Sequence, residues 1–265
     1  MAVFQSVRVR VALFSIFSLV LIGGFFVLWA PIPQPQVYHD FADQRPLAGL
    51  PHSLNVLSNL PFVLVGVAGL AYLARRPSVF VDESERWPYW VYFIGLTWTG
   101  IGSAYYHANP NNATLVWDRL PLTVAFMGLF TAILAERIHP GCANWLLGPL
   151  VVLGAASVFY WDWTERHAIG DLRPYFVVQY FPLIALPFLL LLYPPRYTRT
   201  ADLLASLLCY GLAKLCELLD REFYSVGALV SGHTVKHLIA GLAAAFILLM
   251  LVRRQPRPAP AVLQM

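Results

Sequence analysis

The chain has 265 residues, of which 58% are hydrophobic and only 12% charged, with a mean hydropathy of +0.62. Soluble domains carry about 25% charged residues, so this composition excludes a soluble globular protein and implies a polytopic membrane protein. The net charge of +4 does not point to nucleic acid. The cations gather at the ends of apolar stretches, and no basic patch with interleaved aromatics is present.

Taken in chain order, the apolar stretches predict eight membrane spans, at about 11–30, 52–74, 88–107, 115–135, 144–161, 174–193, 202–219 and 228–252. The spans at 144–161 and 202–219 are the shortest. The first follows Arg8 and Arg10 and invites comparison with a signal peptide. It is too long for a signal's apolar region, and Pro31 after Ala30 would spoil a cleavage site, so it reads as a retained helix. The expected organisation is an N-terminal transmembrane helix (1–34), a seven-helix core (35–254) and a disordered Pro-rich tail (255–265). No internal repeat or soluble domain appears, and nothing in the sequence predicts a protein partner.

With the N-terminus inside, eleven Lys/Arg residues at span ends lie on the cytoplasmic side (Arg8 to Arg257) and five lie opposite: Arg45, Arg119, Arg166, Arg173 and Arg221. This split predicts both termini in the cytoplasm. It also places His107, Asp118 and His233 together at the outer face, periplasmic or lumenal.

Polar groups inside apolar spans are costly and mark function. Ser103 and His107 in GIGSAYYH, and His233 and His237 in HTVKH, are each spaced i, i+4, so each pair shares a helix face. Alone, an HxxxH pair is common by chance, a histidine near a span end is usually interfacial, and Asp118 suits a helix start. Together they form a metal site: three imidazoles with an open fourth position are the ligand set of catalytic zinc. Zinc lowers the pKa of a bound water to about 7. Asp118 is then placed to take and return a proton, and Ser103 to hydrogen-bond the water or the oxyanion.

The other polar residues carry less. His39, His52, His139 and His167 read as solvated. Lys236, between the two histidines of HTVKH, is expected to point away from their face; a Schiff-base lysine is disfavoured at a span's outer end. Lys214 and Glu217, with Asp220, Arg221 and Glu222, read as a structural ion-pair cluster. WDWTERH and GDLRPY read as a solvated outer loop or the rim of a headgroup entrance. Cys142, Cys209 and Cys216 have no metal or disulfide spacing and read as small apolar side chains.

The pattern Ser103-Ala-Tyr-Tyr-His107, Asp118 and His233-Thr-Val-Lys-His237 resembles that of the alkaline ceramidases and their wider superfamily of seven-helix membrane hydrolases and adiponectin-type receptors. The segment NVLSNLPF (55–62) is similar to the one opening the first core helix of ceramidases. The likeness covers about residues 38–252. It implies a seven-helix bundle with His107, His233 and His237 as zinc ligands, Asp118 as general base and Ser103 positioning the water or oxyanion. It also implies hydrolysis of the amide of ceramide, or of a related N-acyl lipid of the membrane, to a long-chain base and a fatty acid. In that family an acidic segment and a later Glu bind calcium. Here the segment reads Asp40-Phe41-Ala42-Asp43-Gln44-Arg45, and the later Glu position is His52. The expectation is therefore a vestigial calcium site at Asp40 and Asp43, with Arg45 paired to one of them in place of the ion.

The overall expectation is an all-α membrane bundle of seven ceramidase-like helices plus one N-terminal helix, with Ser58 and Asn59 facing the core near the site. The competing functional class is a receptor-like protein whose zinc is structural. A transporter lacks the expected paired broken helices at midplane.

Overall fold

The computed structural model describes residues 6–76 and 79–257. Among them the chain is helical and contains no strand. The α-helices are α1 (Val7–Leu28), α2 (Ser53–Leu57), α3 (Leu60–Arg75), α4 (Arg86–Ala108), α5 (Asn112–Arg137), α6 (Gly141–Arg166), α7 (Arg173–Leu192), α8 (Thr200–Leu218), α9 (Asp220–Ser225) and α10 (Gly232–Arg253). Each expected span coincides with a helix, the second being shared by α2 and α3. Six of these segments are long and apolar enough to cross a membrane: α1, α2–α3, α5, α6, α7 and α10. The helices α4 and α8 match them in length, with 23 and 19 residues, but are less apolar. Large apolar side chains such as Leu191 and Val27 lie bare on the outside, the surface expected of a protein solvated by acyl chains.

Helix starts follow local chemistry. Asn111 caps α5 in a reciprocal box with Thr114, and the Ser231 hydroxyl accepts from the Thr234 N–H at the start of α10. The tightest pairings are α4 with α5, α8 with α10, and α5 with α6; α3 then bridges α4 and α10. A large apolar core including Phe62, Tyr89, Phe93, Leu189 and Ile247 joins these helices. At the other end a smaller cluster gathers Phe41, Tyr106, Leu115, Trp161 and Tyr175. The first helix has no buried residue and packs on α7, where Phe17 stacks on Phe188 at 4.3 Å.

Several expectations change. The α6 helix runs to Arg166, five residues beyond the apolar stretch, because its last turn is held by structure rather than water. Glu165 accepts from the Trp161 indole and the Gln34 backbone, and Asp162 pairs with Arg166 at 3.0 Å. Asp171 is buried and forms a two-pronged pair with Arg173. The segment is therefore a tethered rim, not a solvated loop. Of the tail, Gln255–Arg257 pair with the backbone of residues 196–198, which satisfies their amides; residues 258–265 lie outside the described residues. Cys209 and Cys216 are buried and Cys142 half-buried.

Candidate metal centre

The α4–α5 and α8–α10 pairs build the site, each through a glycine that lets backbones touch. A Cβ on Gly102 would lie 1.9 Å from the Trp117 carbonyl oxygen, and one on Gly232 would lie 2.3 Å from the Cys216 carbonyl oxygen. The first contact sets Ser103 and His107 of α4 against Asp118 of α5. The second sets His233 and His237 of α10 against Glu217 of α8.

His107, His233 and His237 converge, all buried, with their ligating nitrogens within 4.8 Å of one another. The Nε2 atoms of His107 and His233 are 3.3 Å apart. Two nitrogens bound at about 2.0–2.1 Å with a tetrahedral angle between them would be separated by about 3.3–3.4 Å. The spacing matches a shared cation and is long for a direct hydrogen bond. His237 Nδ1 lies 2.8 Å from the Ser58 hydroxyl, which donates in turn to the Asn55 carbonyl. With the Ser58 proton given to the Asn55 carbonyl, Nδ1 is the donor to Ser58 and Nε2 the acceptor, the outer-shell arrangement typical of metal-bound histidine. Asn55 Oδ1 accepts from the Thr234 hydroxyl, so the start of α10 is tied to α2. Asp220 accepts from the His233 backbone N–H at 2.7 Å and, through its other oxygen, from the Ala42 N–H. His107 departs from the pattern: its Nδ1 is buried without a partner among the described residues. Three buried imidazoles with one nitrogen pair at 3.3 Å are a donor set that fits a tetrahedral cation such as zinc.

Asp118 hydrogen-bonds with the Ser103 hydroxyl, one turn before His107 on α4, and lies within electrostatic reach of Lys236. The structure thus joins the three expected histidines in one cluster and pairs Ser103 with Asp118 one helical turn before His107.

Lys236 does not point away. Its ammonium lies 3.2 Å from His233 Nε2 and 2.7 Å from Glu217. Residues three apart on a helix are neighbours, and Glu217 on α8 draws the flexible stem inward. Glu217 also holds Lys214, so this cluster flanks the metal centre. Lys236 was recoverable from its i+3 offset to His233; its partner on α8 was not.

The segment 34–45 covers the site. Phe41 is buried, its ring 4.7 Å from that of His107 and 4.5 Å from that of His233. His39 is not free in solvent: its two ring nitrogens meet the Tyr106 hydroxyl and Asn112 Oδ1, each at 2.8 Å. His52 is half-buried in a left-handed turn, whereas His139 and His167 are exposed. At the expected vestigial calcium position, Arg45 forms a two-pronged pair with Asp43 at 2.9 and 2.7 Å. Asp40 pairs with Arg221 at 2.5 Å. The Arg45 guanidinium holds the Asp43 carboxyl below the usual carboxylate range, against the opposing effect of burial.

Comparison with protein-family models, with curated proteins and with solved structures returns no match.

Proposed function

We propose that the protein is a membrane-embedded, zinc-dependent amidohydrolase that cleaves the amide of ceramide or a related N-acyl lipid. The observation that supports this reading best is the meeting of three buried imidazoles, two of them with nitrogens 3.3 Å apart, near a Ser103–Asp118 pair. His107, His233 and His237 would hold the ion. Zinc, when bound, supplies Lewis acidity toward a carbonyl and makes a water acidic enough to deprotonate near neutral pH.

The chain's own residues do the rest. Asp118 takes a proton as water adds to the amide carbon and returns it to the nitrogen as the C–N bond breaks, giving a fatty acid and a free amine. The Ser103 hydroxyl, facing Asp118, holds the oxygen being deprotonated or the oxyanion that forms. The Phe41 ring and the 34–45 segment shield the centre from bulk water. The Lys/Arg distribution supports eight spans with both termini in the cytoplasm and the site on the periplasmic or lumenal side.

A receptor-like protein with structural zinc is the alternative. The close cover of Phe41 over two of the three ligands favours it, since structural sites are closed. Metal content and hydrolysis of fluorescent N-acyl lipids, measured on the same purified protein, separate the two. The expected result is about one zinc per chain and turnover abolished by chelator. Asp118→Ala should lose about 10²–10⁴-fold in rate while keeping its metal, and His233→Ala should lose both. Undiminished turnover in Asp118→Ala would remove the assigned base; metal without turnover in the unaltered protein would favour the receptor-like reading.

A further inference from the structure

Arg119, one residue after Asp118, is 4% exposed, yet among the described residues no carboxylate pairs with it. Its Nη2 donates to the Gln34 side-chain oxygen at 2.6 Å, and its Nη1 is buried with no partner. Its faces lie against aromatic rings, with Trp161 at 4.2 Å, Tyr175 at 4.6 Å and Tyr38 at 5.7 Å. Aromatic faces stabilise the charge from above and below the guanidinium plane. They offer nothing to the in-plane N–H donors, which need acceptors. A buried, incompletely paired cation in a membrane protein is expensive and marks a function.

The neighbouring charges add to the surplus. Lys214 and Lys236 share one carboxylate, Glu217. The Tyr38 hydroxyl reaches Glu217 at 3.5 Å, so one phenol ring separates Arg119 from the lysine cluster and, through Lys236, from His233. The acceptor that would complete Arg119 is thus an anion on the far side of Tyr38 and the lysine cluster from the metal centre.

We propose that Arg119 binds an anionic oxygen group, carboxylate or phosphate, carried by the headgroup of the bound lipid, so that the site prefers acidic N-acyl lipids over neutral ones. This rests on the amidohydrolase reading for the N-acyl lipid; the anion site itself does not. A guanidinium edge matches two oxygens of such a group in a way an ammonium cannot.

The test reads binding, so it is independent of turnover. Purified full-length protein in detergent is titrated with three amphiphiles sharing one acyl chain: N-palmitoylglycine, the phosphate ester of N-palmitoylethanolamine, and N-palmitoylethanolamine itself. Affinities come from ligand-dependent thermal shifts. The expected result is that the carboxylate or the phosphate form binds about tenfold more tightly than the neutral one, and that Arg119→Gln brings this ratio to about one. Which acidic form wins identifies the headgroup. Arg119→Lys, which keeps the charge but loses the fork, should retain part of the preference and serves as the comparison if Arg119→Gln does not fold. Equal affinity for all three lipids, or a ratio unchanged by both substitutions, overturns the proposal. Failure to hydrolyse any of them while the binding preference holds counts against the amidohydrolase reading alone.

Discussion

His237 owes its orientation to a hydroxyl on another helix. The Ser58 oxygen, 2.8 Å from Nδ1, keeps the opposite nitrogen turned toward His107 and His233. Removing such an outer partner typically costs about 10–100-fold in metal affinity. Ser58→Ala is therefore expected to weaken zinc retention by that order against a competing chelator, with secondary structure intact by circular dichroism. Unchanged zinc affinity would show that packing alone orients the ring. The same scale shows where residue-level reading succeeds and where it stops. Ser103, His107, His233 and His237 are legible because an i, i+4 spacing fixes a shared face. Phe41 is not, because an aromatic in a loop carries no periodic signal and its contact with two histidines depends on how the segment folds back over them.

Between elements, the decisive contacts are backbone to backbone. At Gly102 any side chain would press on the Trp117 carbonyl oxygen, a rigid partner. Adding a methyl group there must push α4 and α5 apart. Overpacking of this kind costs about 1–3 kcal/mol, so Gly102→Ala is expected to lower the melting temperature in detergent. It should also release metal more readily, because His107 is about one and a half turns further along the same helix. A variant that melts and binds metal normally would show that the pair can slide without loss. The glycines are plain in the sequence, but nothing there says which ones face a neighbouring backbone. Helix positions themselves are well marked by hydropathy, except at the end of α6, where Glu165, Trp161 and Gln34 extend the helix beyond its apolar stretch.

Across the whole molecule, one ion pair and hydrogen bonds tie the covering segment to the bundle. Arg45 joins Asp43 and also donates to the Leu229 carbonyl, while Asp40 reaches Arg221. Asp43 titrates below its ordinary value because Arg45 hydrogen-bonds its charged form. Its contribution to stability is thus present above the unfolded-state pKa of about 3.9 and is lost as pH falls through the lower native value. The melting temperature of the unaltered protein should exceed that of Asp43→Asn at neutral pH, and the gap should close as pH drops below about 4. A gap independent of pH would mean that the carboxylate acts through shape rather than charge.

Composition, hydropathy and two helical spacings determined that this is an all-α membrane protein with His107, His233 and His237 as candidate ligands, since burial cost and helical period are local properties of a sequence. Only the tertiary structure decided that Lys236 turns toward the histidines, that Ser58 holds one of them, and that Arg119 is buried among aromatic rings with no carboxylate paired to it among the described residues. Those outcomes depend on which side chains of distant helices meet, and long-range contact leaves no period in the chain.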